Sequence, residues 1–208
     1  MPQQREFAGR SAAELLLRLC RAALGEGFVE QLTSAQWMAL RYFSRANRFS
    51  RTVSAFAAFH ATTRGTASQT VKGLVEQGYL VRTRSVTDGR SARVDLTDKA
   101  KAILVHDPVE VVVAAADALP ARHRAQLVKV LERMLAHVAR ERGRAHFGVC
   151  SACAHLRSGD GRGSRRQSHQ CGLLNEPLSP EETGQVCISF EPVQTRLARR
   201  NITRRRTP

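Results

Sequence analysis

The chain has 208 residues, 42% of them hydrophobic, and a formal net charge of +15 at pH 7. This length allows one sizeable domain with an appendage, and no run of about 18 apolar residues predicts a membrane-spanning helix. The N-terminal segment lacks a continuous apolar run and a small-residue cleavage pattern, so no secretory signal is expected and the protein is placed in the cytoplasm.

The positive charge favours a polyanionic partner, most simply nucleic acid. It is carried by 29 arginines and only four lysines, which is also the pattern that a genome's codon bias would produce. Charge alone therefore indicates a class of partner without identifying it.

Two helices are predicted near the N-terminus. Ser11 and Glu14 have the spacing of a capping box, and the apolar residues after them recur on one helix face, which predicts a first helix over about 11–25. Thr33 or Ser34 would cap a second helix. Its buried side would hold Trp37, Leu40 and Phe43.

A short third helix and a longer fourth helix follow. The third would start at Ser50 or Thr52 and pack on the second. The fourth lies in the segment TTRGTASQTVKGLVEQGYL and would start near Thr66. Its apolar stripe consists of Ala67, Val71, Leu74 and Val75.

The outward face of the fourth helix carries short hydroxyls, an amide and one lysine. An ordinary solvated helix usually carries pairs of Glu, Lys and Arg there, because these residues have better helix propensity. Short polar side chains let the helix backbone approach another surface closely, as a helix in the DNA major groove must. The predicted DNA-binding residues on this face are Thr66, Ser68, Gln69, Thr70 and Lys72.

A basic β-hairpin is predicted after the fourth helix. Beyond Gly78 the hydrophobic period changes to two, and Asp88-Gly89 is a strong turn signal between the two halves of the segment. Arginines on such a hairpin suit phosphates and the minor groove, where a protruding arginine reads the groove width. The arginines in question are Arg82, Arg84, Arg90 and Arg93.

The helical pattern then resumes. Thr97 would cap a helix that Pro108 kinks before an apolar stretch continues to about residue 118. Pro120 would open a last helix that stops at Gly143. One face of this last helix is apolar and holds Leu127, Val130, Leu131, Met134, Leu135 and Val138.

The order and spacing of these segments strongly resemble the multiple-antibiotic-resistance regulators, the MarR-type winged helix-turn-helix family. The resemblance covers about residues 11–142 and rests on LTSAQWMALRYF, TTRGTASQTVKGLVEQGYLVR, the wing VTDGRSARVDLTDKA and the flanking helices. It implies a mainly α fold with a small β-wing, in which a winged helix-turn-helix domain is flanked by dimerisation helices.

The resemblance also implies a function. The D-x-R pattern of the family's wing matches Asp88 and Arg90, so Arg90 would enter the groove while Asp88 orients it. A homodimer would bind double-stranded DNA at a pseudo-palindromic operator, with its recognition helices in half-sites about one DNA turn apart. The sequence leaves the effector and the operator open.

Residues 144–192 hold four of the five cysteines in a loop-rich segment with few apolar residues. Stable disulfides are uncommon in the cytoplasm, and four cysteines with a C-x-x-C pair indicate metal ligation by thiolates. Zinc, an iron–sulfur cluster and free or redox-active thiols all remain open, because a zinc ribbon usually has two C-x-x-C pairs. The predicted ligands are Cys150, Cys153, Cys171 and Cys187, with His146, His155 and His169 as lesser candidates.

The sequence thus predicts a winged helix-turn-helix and dimerisation domain at 1–143, a cysteine-rich metal-binding module at 144–192 and a basic disordered tail at 193–208. Cys20 is expected to be a small hydrophobe of the first helix. The predicted function is a non-enzymatic transcriptional repressor that responds to metal or redox state. The alternative is a metal-centred redox protein or enzyme, against which no constellation of acid, base and nucleophile accompanies the cysteines.

Overall fold

The computed structural model describes residues 2–24, 31–84, 92–159 and 168–193, with only the main chain described at 2–7, 84 and 168. The helices are α1 Pro2–Leu24, α2 Ser34–Arg45, α3 Val53–Phe59, α4 Arg64–Glu76, α5 Asp98–Ile103, α6 Glu110–Asp117 and α7 Ala121–Glu141. The strands are β1 Leu80–Arg84, β2 Ala92–Leu96, β3 Gly148–Val149, β4 Leu156–Gly159, β5 Ser168–Cys171, β6 Glu176–Leu178 and β7 Val186–Cys187. The fold is mainly α with small antiparallel sheets, and the predicted fold class is confirmed.

The second and third helices form where their caps predict them. Thr33 and Gln36 make a reciprocal capping box, in which each side chain accepts a hydrogen bond from the other residue's backbone N–H, at 3.2 and 2.9 Å. Thr52 caps α3 by accepting from the N–H of Ala55 at 3.1 Å. The predicted core residues Trp37, Leu40 and Phe43 are buried together with Phe56 of α3.

The fourth helix starts two residues earlier than predicted. Thr63, not Thr66, is its N-cap, since the Thr63 hydroxyl accepts from the N–H of Thr66 at 3.1 Å. The predicted stripe packs inward as expected, with Ala67, Val71 and Leu74 all fully buried. The polar side of α4 therefore faces away from the core.

The β-hairpin pairs β1 with β2 in an antiparallel register that runs from Leu80↔Leu96 to Arg84↔Ala92. Gly78 connects α4 to it with φ of +76°, a left-handed conformation that glycine adopts without strain. The predicted turn residues Asp88 and Gly89 lie outside the described residues. The hairpin is anchored by Leu80 and Val94, both buried in the core of the helix-turn-helix unit.

The outer helices differ from the prediction in two places. The chain is already helical at Pro2, so the predicted capping box at Ser11 does not start α1; proline is favoured in the first helical turn, and the Gln, Arg, Glu and Ala that follow are good helix formers. Pro108 separates two helices rather than kinking one, because the chain turns at Asp107 before α6 begins. Thr97 caps α5 as predicted.

Three helices carry much exposed apolar surface. No residue of α6 or α7 is buried, although the apolar stripe of α7 is well formed. The large apolar side chains exposed on these helices and on α1 are Leu15, Leu17, Leu19, Val111, Val113, Leu127, Val128, Val130, Met134, Leu135 and Val138. Within the described helices, none is both long and apolar enough to span a bilayer.

The cysteine-rich segment folds into short strands that pack on the helix-turn-helix unit. Strand β3 pairs with β7, and β4, β5 and β6 form a second small sheet. Cys150, Leu178 and Cys187 form a small buried cluster, and Phe49 from the turn between α2 and α3 packs against it. The few apolar residues of this segment thus complete their core with a side chain of the N-terminal domain.

Candidate functional site

The outward face of α4 is polar and accessible. Thr66, Gln69 and Lys72 are exposed, while Ser68 and Thr70 are half-buried. The Thr70 hydroxyl donates to the Thr66 carbonyl at 3.1 Å, and the Thr66 hydroxyl lies 2.8 Å from that of Thr63. Lys72 lies 3.7 Å from Glu76 in an exposed pair one helical turn apart, which is worth little and leaves its ammonium available. This face can therefore offer hydroxyls, an amide and a cation to a groove.

The arginines of the hairpin are not equivalent. Arg82 is exposed on β1, and Arg84 closes the described part of β1, opposite Ala92. Arg93 donates from Nε and Nη2 to one carboxylate oxygen of Asp95, at 3.0 and 2.8 Å. Its guanidinium is therefore already partly neutralised within the chain, which makes Arg82 the freer cation of the two described side chains.

Asp95 is bound from a second side as well. Arg51, which precedes α3, donates from Nη1 to the same oxygen at 3.0 Å. Burial raises the pKa of Asp95, but the hydrogen bonds from Arg93 and Arg51 outweigh it and hold the pKa below its usual range. This ionic cluster ties the hairpin to the start of α3, a link that the sequence pattern did not reveal because the partners are 44 residues apart.

Asp88 and Arg90 fall outside the described residues. Arg84 and Ala92, which flank the segment with Asp88 and Arg90, are paired with each other. This pair lies at the opposite end of the hairpin from the buried Leu80. The assignment of Asp88 and Arg90 to the DNA groove stays a prediction.

The four predicted ligand cysteines surround one cavity of about 10 Å³. All four are free thiols, and Asn47 and His155 also line the cavity. Cys150 and Cys153 flank a tight turn closed by the Cys153 N–H, which donates to the Cys150 carbonyl at 3.0 Å. The structure thus brings together residues that are up to 37 positions apart in the chain, Cys150 and Cys187.

Strand pairing produces this convergence. Gly148 pairs with Cys187 across β3 and β7, which places Cys187 next to the turn that holds the C-x-x-C pair. Leu156 pairs with Cys171 across β4 and β5, which brings the fourth thiol to the same side. No periodicity in the sequence could have predicted either register, since both pairings depend on loops between short strands.

The lesser histidine candidates lie in different settings. His155 lines the cavity, and its Nε2 is 2.9 Å from a carboxylate oxygen of Glu191. His146 packs against Phe190, with ring centroids 5.6 Å apart, and His169 lies across from Ser158 in the β4–β5 ladder. Neither of these two lines the cavity.

Two of the thiols already interact. The Cys150 thiol lowers the pKa of Cys187, and a hydrogen bond from Asn47 lowers it further. The pKa of Cys150 is raised by the neighbouring Cys187 and by burial. Asn47 Nδ2 donates to Cys150 Sγ at 3.5 Å. Over the described part of the chain, no three His, Cys, Asp or Glu side chains are placed so that they could hold a metal ion. The thiols are gathered around the cavity without being set at ligand distances.

The cavity lies against the turn between α2 and α3. The Asn47 N–H donates to the Val186 carbonyl, and the Ile188 N–H donates to the Ser50 hydroxyl, both at 2.9 Å. Arg48 donates from Nη1 to both carboxylate oxygens of Glu182, at 2.6 and 2.7 Å. Asn47 and Ser50 are fully buried.

Sequence reasoning missed this contact. In the sequence, RANRFS indicates only the end of one helix and the cap of the next, and its partners in the cysteine-rich segment lie more than 100 residues further on. The sole local sign is a run of polar residues between two apolar helices.

Residues 30–91 match the model of the MarR family. The transcriptional repressor CouR, solved bound to a 23-mer DNA duplex, is 26% identical, with 64% of this chain and 96% of that chain covered and a TM-score of 0.51. A MarR transcriptional regulator from Methanosarcina mazei Go1 is 24% identical over 65% of this chain and 98% of its own, with a TM-score of 0.50. The regulator SlyA is 22% identical over 64% and 94%, also with a TM-score of 0.50. No curated protein sequence matches the chain.

These similarities and the geometry of α4 and the hairpin define the fold. The chain has the winged helix-turn-helix fold of a MarR-type DNA-binding transcriptional regulator. About a third of its length, by the coverage of these matches, lies beyond the structures that it resembles.

Proposed function

We propose that this chain is a transcriptional repressor that binds a pseudo-palindromic operator as a homodimer. The observation that carries the proposal is the division of α4 into two faces, a fully buried stripe and an accessible face of short polar side chains, beside a basic hairpin. The similarity to a repressor solved on DNA supports the same reading. Such a regulator acts without catalysis and, in a bacterial or archaeal cell, in the cytoplasm, where the DNA lies.

The exposed apolar surface of α1, α6 and α7 supports the homodimer. Among the described residues, α7 packs against α6 only lightly, so a 21-residue helix with an apolar stripe has no buried residue. Large exposed apolar patches of this kind mark protein–protein interfaces. A second copy would cover them, and a twofold axis there would present two α4 helices to half-sites about 34–36 Å apart.

The residues on α4 and on the hairpin divide into two roles in this proposal. Hydroxyls and the amide at the start of α4 read base edges and bind phosphates in the major groove, and Lys72 binds backbone phosphate. The exposed hairpin arginines bind phosphates, and Arg90, oriented by Asp88, enters the minor groove. The full set is Thr66, Ser68, Gln69, Thr70, Lys72, Arg82, Arg84, Asp88, Arg90 and Arg93.

Selection of DNA ligands from a random library tests this function. Purified full-length protein should enrich an inverted repeat whose half-sites are centred about one helical turn apart. A variant with Gln69→Ala and Thr70→Ala should lose the base preference while it keeps salt-dependent binding to any duplex. Enrichment of no sequence, or the same enriched sequence with the double variant, would show that α4 does not read the operator.

A further inference from the structure

We propose that Cys150, Cys153, Cys171 and Cys187 bind a single zinc ion as thiolates, and that this ion fastens the C-terminal segment to the turn between α2 and α3. The first part is a metal site and stands independently of DNA binding. The second part makes the ion a regulator of the helix-turn-helix unit, and it rests on the proposed function.

The size and the donor set of the cavity carry the metal assignment. The four cysteines line a space of about 10 Å³, and roughly 10–15 Å³ is the least volume that holds a single water. The space is therefore of a size for one metal ion and not for a group of several atoms. Zinc takes four thiolates in a tetrahedral site, and a C-x-x-C turn is a common source of two of them. An iron–sulfur cluster contains several iron and sulfide atoms, so it would need the strands to move further apart.

Ligation requires the four cysteines to move to ligand distances and to lose their protons. Cys150 and Cys187 line the same cavity and belong to the same small buried cluster, so a cation held between them would also touch the C-x-x-C turn. On binding, Zn²⁺ displaces the protons of all four thiols, and these protons pass to solvent. Four Zn–S bonds form, and no atom changes its oxidation state. Two polar neighbours suit the resulting excess of negative charge: Asn47 donates to Cys150 Sγ, and the Arg157 side chain lies against Gly172, next to Cys171.

The small core of the segment gives the ion a structural role. Among the described residues, the buried cluster consists of Leu178 and the two cysteines, with Phe49, Leu156, Cys171 and Phe190 partly buried around it. So little apolar surface cannot by itself offset the conformational entropy of ordering the strands. A structural zinc site contributes folding free energy directly, which fits a segment of this composition.

The second part of the proposal follows from where the cavity lies. Asn47 contacts Cys150 through its side chain and β7 through its backbone, and Ser50 accepts a hydrogen bond from the residue after Cys187. Two residues later Thr52 caps α3, and α3 packs on α4. Release of the ion would loosen the β3–β7 pair and with it the turn that sets the start of α3. Metal occupancy would thereby alter the position of α4.

Metal analysis of the full-length protein tests the first part. Protein purified without oxygen should contain about one zinc per chain and show no visible iron–sulfur absorption, and its cobalt-substituted form should show the charge-transfer bands of four thiolates. Cys171→Ser and Cys187→Ser should each lose zinc, whereas Cys20→Ser, which changes the one cysteine outside the cluster, should keep it. If a variant fails to fold, chelator titration of the unchanged protein should expose four thiols to a thiol reagent as zinc leaves.

Three results would overturn the zinc assignment. One is a zinc content below about 0.2 equivalents with the four thiols free; the second is full zinc in both Cys171→Ser and Cys187→Ser. The third is iron with acid-labile sulfide bound by the same cysteines, which would show a cluster instead of a single ion.

DNA binding tests the second part separately. Operator affinity, measured by fluorescence anisotropy at fixed salt, should fall at least about tenfold on removal of zinc and return when zinc is restored. Asn47→Ala should weaken this dependence with zinc still bound. An unchanged affinity after zinc loss would refute the coupling and leave the regulator intact. Zinc-loaded protein without any sequence preference would refute the proposed function and leave the metal site intact.

Discussion

Single polar residues fix both ends of α3. Thr52 caps its start, and the ring of His60 packs edge-on against Phe56 and Phe59 at its end, with centroids 4.9 and 5.0 Å apart. The His60 Nε2 atom is buried without a hydrogen-bond partner in the described structure. Burial, with a smaller contribution from the charge of Arg41, lowers the pKa of His60 against an opposing hydrogen bond to the Met38 backbone. At pH 7 the imidazole is therefore neutral in the folded domain.

This setting predicts a pH dependence of stability. The unfolded chain binds a proton at His60 near pH 6.5, whereas the folded chain binds it only at lower pH, so the free energy of unfolding should fall as pH drops below 6.5. One proton can contribute at most about 1.4 kcal/mol per pH unit. Urea unfolding between pH 7.5 and 5 should show a smaller slope for His60→Gln than for the unchanged protein. Equal slopes would mean that His60 is not the titrating group.

Arg90 is the hairpin residue with the strongest predicted effect on DNA. Arg90→Ala should weaken specific binding by about 1–3 kcal/mol and leave the melting temperature unchanged, because in the proposed role its guanidinium binds DNA and not the rest of the chain. Lys101→Ala provides the matched control, since Lys101 is an exposed cation on α5, where it pairs with Asp98. If a gel-shift titration at fixed salt gives Arg90→Ala the affinity of the unchanged protein, Arg90 does not contact the DNA.

At the scale of elements, α1, α6 and α7 carry the exposed apolar side chains that the proposed homodimer would cover. Leu135 on α7 is 71% exposed, yet it belongs to the apolar stripe that the sequence shows. Burying such a side chain in a dimer gains about 1.5–3 kcal/mol.

Leu135→Glu should therefore raise the dimer dissociation constant at least about tenfold, because an unpaired carboxylate would be buried in the interface. Leu173→Glu is the control, as Leu173 is an exposed apolar residue in the turn between β5 and β6. Sedimentation velocity over a range of concentrations measures the difference. A monomeric unchanged protein, or a Leu135→Glu variant that dimerises normally, would contradict the proposed interface.

Local signals account for the elements that were predicted well. Thr33, Thr52 and Thr97 each accept a hydrogen bond at the start of a helix, and such caps depend only on residues two or three positions away. The buried stripe of α4 follows from helical periodicity alone. The early start of α1 was missed because Ser11 and Glu14 have the spacing of a capping box within a segment whose earlier residues also favour helix.

Long-range contacts account for what was not predicted. The convergence of the cysteines depends on the β3–β7 and β4–β5 registers, and the docking depends on Asn47, Arg48 and Ser50. Order along the chain suggests that the segment after α7 acts on α7. Besides pairing with β3, β7 and the residue after it are hydrogen-bonded to the turn between α2 and α3, more than 130 residues earlier, and no sequence pattern encodes that contact.

At the scale of the whole molecule, the net charge of +15 makes nonspecific attraction to DNA a large part of binding. Six of the 33 basic residues lie in RLARRNITRRRTP, residues 196–208, which is outside the described residues. This segment contains no acidic residue, so it adds charge without adding sequence information.

Deletion of residues 196–208 should flatten the salt dependence of DNA binding. Each arginine that releases a counterion contributes about 0.9 to the slope of log affinity against log salt, so six would reduce it by no more than about 5. The preferred operator should stay the same. An identical slope for the truncated protein would exclude a role for this segment in binding.

Hydroxyl-radical footprinting on a selected operator, with the number of chains per duplex measured on the same complex, tests the central claim most directly. The account predicts two chains per duplex and two protected patches about 10 base pairs apart, related by a twofold axis through the operator. One chain per duplex with a single protected patch, or protection spread evenly over the DNA, would contradict a dimeric winged helix-turn-helix regulator.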